Sequence, residues 1–236
     1  MDDGKLLVLD SSTLTGSIAL CQGALPVAES VLNLSSTHSE RLLGQIDALL
    51  EQSGWALAEL DLLAAVTGPG SFTGLRIGVA TLKGLAQALN KPVVGLSSLQ
   101  LLAMNVPLVN APVHAFLDAR KQEVYSQPFV WRQGVPTAVG AARVLPPRKL
   151  LTELQGEVVL VGNAVPLYRQ LIDEILGERA RLPPPPLHQP RAAQGSWLAL
   201  QARSLGQTQM AAELLPGYVR PADAELSRVP AVTAVS

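Results

Sequence analysis

A glycine-rich junction constrains this chain more than any other feature. The apolar run 62–66 leads into Gly68-Pro69-Gly70-Ser71-Phe72-Thr73-Gly74-Leu75-Arg76-Ile77-Gly78. Downstream, Leu75, Val79, Leu82, Ala86 and Leu89 recur at steps of four and three, one face of a helix ending near Asn90. The glycine loop therefore sits between a buried strand and a helix. Lys91-Pro92 stops that helix, and 93–96 reads as a further short strand. Upstream, the apolar runs 6–10, 17–21 and 27–34 are separated by polar turn signals and read as an antiparallel meander. Thr37 and Glu40 fit a capping box, and Leu42, Leu43, Ile46, Leu49 and Leu50 follow at helical spacing, which predicts an amphipathic helix over 38–52. Three strands, helix, strand, helix is an α/β order with a mixed sheet.

The later half differs in kind. Runs 113–118 and 123–131 read as a hairpin turning at Ala119-Arg120-Lys121-Gln122. Segments 150–154 and 165–176 are helical, 56–60 weakly so, and 158–161 is strand-like. Pro183 to Pro186, with Pro190, predicts a stiff extended linker. An Ala-rich helix at about 192–205 then leads into Leu215-Pro216-Gly217-Tyr218-Val219-Arg220 and a polar tail, 221–236, expected to be disordered. No repeat shows at the level of residue identity, yet the second, shorter strand-helix series after residue 104 is compatible with two related lobes. The expected division is 1–103 for the first lobe, joined by the C-terminal helix at about 191–212, and 104–190 for the smaller second.

Composition narrows the function classes. Eighteen basic against 19 acidic residues give a net charge of −1, without the basic excess of a chain that grips nucleic acid alone. With 48% hydrophobic and 16% charged residues the chain is too apolar to be disordered, and no run nears the ~18 residues of a membrane span. Cys21 is the single cysteine, and Met1-Asp2-Asp3 lacks the cationic flank of a signal peptide, so a reducing cytoplasm is expected. His38, His114 and His188 are more than seventy residues apart, and HxxxH, HExxH and CxxC are all absent, which leaves no local metal motif.

Two readings compete for the glycine loop. Amides at a helix N-terminus can cradle phosphate, but Leu75 stands where a Walker loop needs Lys, and Thr73 where GxGxxG needs its third glycine. Gly70, Gly74 and Gly78 are four apart, and the last two share a helical face without side chains, so packing or a partner interface is favoured over phosphate. Asp10, ending the first strand, can sit near a metal-bound phosphate or cap its own turn by accepting from the Ser12 or Thr13 amide. Ser17 and His38 lack a nucleophile–base partner. The charges from Asp118 to Glu123 read as a solvated hairpin turn.

The opening Leu-Val-Leu-Asp-Ser-Ser-Thr, the loop 68–78, Val94-Gly95-Leu96-Ser97-Ser98-Leu99, the Asp118–Tyr125 hairpin and the late Pro216-Gly217-Tyr218-Val219-Arg220 together resemble, in order, the bacterial TsaB (YeaZ) family. The resemblance covers most of the chain. It implies an actin-like fold of the sugar-kinase and Hsp70 ATPase type, two-lobed, with the second lobe truncated. It also implies an accessory subunit of the machinery that places threonylcarbamoyl on adenosine 37 of tRNAs reading ANN codons. That subunit pairs through first-lobe helices with a catalytic TsaD-like chain, is joined by a TsaE-like ATPase, meets tRNA only indirectly, and alone forms homodimers by the same surface.

The interface so implied takes Leu42, Leu43, Ile46 and Leu50 from the first helix and Gly70, Phe72, Thr73, Gly74, Arg76 and Gly78 from the loop and second helix. The metal-binding HxxxH of the catalytic relatives falls here at about Ser98 and Leu102, which are not imidazole ligands. The DxGT phosphate turn of actin-like ATPases reads Asp10-Ser11-Ser12-Thr13, with a side chain at Ser12 where phosphate would approach. The resemblance thus implies no metal and no nucleotide on the chain alone, with ATP or ADP and Mg only at a composite site with partners. The alternatives are an ATP-dependent small-molecule kinase or ATPase using Asp10, Ser12 and Thr13, and, weakest, a metallopeptidase.

Overall fold

The computed structural model describes residues 3–33, 38–107 and 109–219, with backbone alone at 33 and 38–41. The Thr37/Glu40 capping box, the side chain of His38 and the 221–236 tail therefore lie outside the described residues.

The first sheet is built as its alternation dictates. Strands β1 (Lys5–Asp10), β2 (Thr15–Gln22) and β3 (Leu25–Asn33) form the antiparallel meander. After helix α1 (His38–Ser53), strand β4 (Leu62–Gly68) pairs parallel with β1. Helix α2 (Phe72–Leu89) then leads to β5 (Val93–Ser97), parallel to β4, giving the order β3-β2-β1-β4-β5. Ser71 caps α2 by accepting from the Gly74 amide at 3.2 Å, and Asn90 ends it in the left-handed region. The segment 56–60 forms only one 3₁₀ turn, Leu57–Glu59.

A short helix, α3 (Ser98–Ala103), opens the second half. Strands β6 (Val113–Asp118), β7 (Val124–Arg132) and β8 (Val135–Ala138) form another antiparallel meander, with β9 (Arg143–Leu145) also on β7. Helix α4 (Pro147–Glu153) precedes β10 (Val158–Val161), which is parallel to β6. Helices α5 (Ala164–Leu167) and α6 (Arg169–Ile175) precede β11 (Ala180–Arg181), which is parallel to β10. The order β11-β10-β6-β7-β8 repeats the first sheet strand for strand and direction for direction. The chain is thus α/β, actin-like and two-lobed, with mixed sheets and a reduced second lobe.

Two expectations need correction. The helix over 165–176 is broken at Tyr168, whose φ of −113° and ψ of 22° leave the helical region. The proline linker is not extended throughout, because Pro185–His188 closes a 3₁₀ turn; Asn105 Nδ2 fixes that turn by donating to the carbonyls of Leu187 (2.8 Å) and Gln189 (2.7 Å). Elements β8, β9, β11 and α3 went unread because two to six residues are too few to show a period.

Both faces of the first sheet are buried, which is why β1 is apolar without interruption. Leu7, Leu9, Ile18 and Leu63 pack beneath α1 and α2. Leu6, Val8, Ala64 and Val66 pack beneath the last helix, α7 (Ala192–Ser204), where Gly195 lets the helix axis come close to Val8 and Leu96. The second sheet sends Val113, Ala115 and Leu117 toward α3, and Phe116 toward α4, α5 and α6. The helix after β5 therefore covers the second sheet, while the helix after β11 returns to cover the first. Ser17 Oγ and Glu29 Oε1 fix that return by accepting from the Ala192 and Ala193 amides at 3.0 and 3.1 Å. Among the described residues, no helix is long and apolar enough to cross a membrane.

Candidate functional site

The glycine loop closes onto the β1–β2 turn. The Ser71 amide donates to the Ser12 carbonyl at 2.7 Å, and Ser11 Oγ donates to the Gly74 carbonyl at 2.8 Å. A Cβ at Gly70 would overlap the Ser12 carbonyl, one at Gly74 the Ser11 carbonyl, and one at Gly78 the Ser11 hydroxyl. These three glycines provide the close approach that their spacing predicts, but toward the lobe's own turn. Gly74 and Gly78, expected at a partner interface, are instead buried against this turn, while Gly70 is half-buried.

Asp10 makes the turn that was one of its two readings, its Oδ1 accepting from the Ser12 amide at 2.8 Å. The side chain is fully buried and Oδ2 has no partner among the described residues. Burial pushes its pKa up to about 6, against the lowering effect of the hydrogen bond from the Ser12 amide. Thr13 Oγ1 donates to the Thr15 carbonyl at 2.9 Å, and Ser12 Oγ is buried without a partner. The Ser71 amide is already engaged by the Ser12 carbonyl and the Gly74 amide by Ser71 Oγ. These residues do not fit a nucleotide phosphate held by this chain alone, because the cradle is closed by its own backbone and Ser12 fills the approach.

The two long helices divide cleanly into core and outer faces. Leu42, Ile46 and Leu50, expected to meet a partner, are instead 1%, 1% and 6% exposed beneath the first sheet's cover. Burying each of them stabilises the lobe by about 1.5–3 kcal/mol, so the sheet takes the apolar stripe first. Leu43 is 47% exposed, and Gly44, Asp47 and Ala48 share its outward face. On α2, Phe72, Thr73, Arg76, Ala80 and Gly84 point outward. A Cβ at Gly44 or Gly84 would meet open space, so the outward-facing glycines are these two. Of the expected interface residues, Leu43 on α1 and Phe72, Thr73 and Arg76 on α2 are exposed.

One contact at this end of α2 escaped sequence reasoning. The segment after α7 runs along the sheet edge, where Gln209 and Val93 exchange backbone hydrogen bonds, and Gly217 donates to the Thr67 carbonyl at 2.8 Å. Tyr218 then stacks on Phe72 with ring centroids 5.1 Å apart, and Arg76 lies 3.9 Å over the Phe72 ring while its Nε donates to the Tyr218 hydroxyl at 3.1 Å. The late Pro-Gly-Tyr motif was the only signal, and it did not say where the tyrosine would land.

The remaining candidates are structural. Ser98 Oγ donates to the Pro69 carbonyl, and Leu102 is core, at the positions matched to the relatives' HxxxH. His188 Nδ1 accepts from the Gly162 amide at 3.2 Å. The hairpin turn carries Arg120, Lys121 and Gln122 in left-handed conformation, with the Arg120 amide donating to Asp118 Oδ1 at 2.9 Å. Among the described residues no three His, Cys, Asp or Glu side chains gather to hold a metal.

The outer faces of α1 and α2 thus carry small residues beside exposed Phe72, Arg76 and Tyr218, on an actin-like lobe whose Asp10–Thr13 turn is closed by the glycine loop. Comparison with known proteins supplies the family. The family model for TsaD, tRNA N6-adenosine threonylcarbamoyltransferase, matches residues 32–213. The chain is 30% identical over 231 residues to the tRNA threonylcarbamoyladenosine biosynthesis protein TsaB of Bacillus subtilis, covering 93% of this chain and 96% of that one. It is 32% identical over 192 residues to the TsaB protein of Haemophilus influenzae, covering 75% and 79%. The crystal structure of YeaZ from Pseudomonas aeruginosa superposes with a TM-score of 0.77 at 30% identity, covering 91% of this chain and 99% of that one. The chain belongs to the TsaB (YeaZ) family.

Proposed function

We propose that this chain is a non-catalytic subunit that seats a TsaD-like catalytic partner on the outward face of α1 and α2, as part of the cytoplasmic machinery that makes N6-threonylcarbamoyladenosine at position 37 of ANN-reading tRNAs. The observation that carries this reading is the surface itself. Gly44, Ala48, Ala80 and Gly84 allow close helix-to-helix approach, and Leu43, Phe72, Arg76 and Tyr218 are exposed residues of the kinds that anchor interfaces. The same face serves a homodimer when the partner is absent, and a TsaE-like ATPase joins the assembled pair. Nucleotide and Mg belong to a composite site completed by the partners, and tRNA contact belongs to their surfaces, which suits this chain's net charge of −1.

The test is copurification with the TsaD-like chain of the same organism. Ala80→Arg, on the open face, is expected to abolish the complex and tRNA threonylcarbamoylation while leaving the melting temperature of the isolated chain unchanged. A complex that forms undiminished with Ala80→Arg overturns the interface.

A further inference from the structure

The outer end of α2 carries a cation that the fold leaves uncompensated. Arg76 is exposed, and among the described residues no carboxylate pairs with it, whereas Arg143, Arg148, Arg169, Arg181 and Arg191 each meet an acidic side chain. Helix α2 contains no Asp or Glu, and the exposed acids of α1, Asp47 and Glu51, make no ion pair with Arg76. Lys83, the other cation of α2, is engaged, its Nζ donating to the Ala212 carbonyl at 3.0 Å.

The Arg76 side chain is also held still. Its guanidinium lies over the Phe72 ring, its Nε donates to the Tyr218 hydroxyl, and Tyr218 stacks on that same ring, so each side chain is fixed by the others. Tyr218 is in turn fixed on both sides along the chain. The Gly217 amide donates to the Thr67 carbonyl at 2.8 Å, and Val219 packs against the apolar cluster between α3 and the second sheet. Only Nε of the guanidinium is used; Nη1 and Nη2 make no hydrogen bond among the described residues, and their N–H groups form a planar fork.

Such a fork matches the paired oxygens of a carboxylate. Phosphate has suitable oxygens too, but a nucleic-acid surface gathers several free cations, and on α2 Arg76 stands alone with Lys83 turned to Ala212. Ordering a long side chain on binding lowers affinity, and here folding has already ordered it. Resting on the docking reading above, we propose that Arg76 forms a bidentate ion pair with an Asp or Glu side chain of the TsaD-like partner, and that Tyr218 is the positioning residue that holds the fork for it.

Calorimetric titration of the whole chain with the TsaD-like chain of the same organism tests both parts. Arg76→Gln is expected to weaken the complex about a hundredfold, by leaving the partner's carboxylate unpaired. Arg76→Lys should weaken it about tenfold, because the charge stays and the fork is lost. Tyr218→Ala should weaken it about tenfold when Arg76 is present and have no effect in the Arg76→Gln background, a coupling that a merely structural tyrosine would not show. Arg76→Glu should lose the complex and regain it with a partner in which one surface acid is changed to arginine. The ion pair is overturned if Arg76→Gln binds as the parent chain does, or if no such partner variant rescues Arg76→Glu. It is equally overturned if Arg76→Gln keeps the protein complex but lowers the affinity of the assembled complex for tRNA, since the fork then holds a phosphate. Losses from Tyr218→Ala and Arg76→Gln that simply add overturn the positioning role. Ala80→Arg separates this failure from failure of the docking face: if Ala80→Arg abolishes the complex while Arg76→Gln leaves it intact, the ion pair alone falls, and if both bind undiminished the face falls with it.

Discussion

The two lobes share a sheet and differ in what covers it. Each has an antiparallel meander continued by two parallel strands, and each passes from the first of those parallel strands, β4 or β10, to the next helix through a glycine that no other residue could replace without strain. Gly68 has a φ of +132° against the Gly217 carbonyl, and Gly162 has a φ of +142° against the Phe116 carbonyl. The coverings then diverge. Helices of 16 and 18 residues lie over the first sheet, while pieces of seven, four and seven lie over the second. Long helices bury one stripe completely and present a continuous outer face; short ones leave part of the sheet uncovered. The same framework thus yields a continuous outer helix face in one lobe and a cavity in the other.

If the glycine junctions are equivalent, Gly68→Ala and Gly162→Ala should each destabilise the chain by about 4 kcal/mol, combining backbone strain with overlap. Urea unfolding checks this, with Gly84→Ala as a control that gains about 1 kcal/mol from helix propensity. A silent Gly162→Ala would break the comparison.

The division of α1 into two faces predicts the next largest contrast. Leu42→Ala should cost about 3 kcal/mol, whereas Leu43→Ala should stay within about 0.5 kcal/mol in the isolated chain and weaken only the complex with the TsaD-like partner. Equal losses of stability would dissolve the distinction between core and interface.

The third effect belongs to the first lobe alone. Asp10 is raised from 3.8 to about 6, so between those values the unfolded chain ionises while the folded chain keeps its proton. Stability should therefore fall by about 3 kcal/mol as pH rises through that window and then level off above it. Asp10→Asn should flatten the slope of the urea midpoint across that window. An unchanged slope in that variant assigns the titration to another group.

How much of this was legible depends on range along the chain. Periodicity located α1, α2 and the strands of the first sheet, because each carries its pattern within one element. That same periodicity named Leu42, Ile46 and Leu50, but an apolar stripe says only that something covers it, and the nearest claimant is the helix's own sheet. The spacing of Gly70, Gly74 and Gly78 announced a close approach without revealing that Ser11 and Ser12 make it. Tyr218 on Phe72, Ser17 at the start of α7, and the cavity beside Ser126 are unions of distant segments, and no local pattern encodes them.

The exchange of helices between the lobes also bears on how the chain is made. On a ribosome, β1 to β5 emerge early, yet one face of their sheet waits for residues 192–204. At ordinary rates of translation that delay is on the order of ten seconds. Throughout it Leu6, Val8, Ala64 and Val66 leave one apolar face of the sheet uncovered until α7 arrives to seal it.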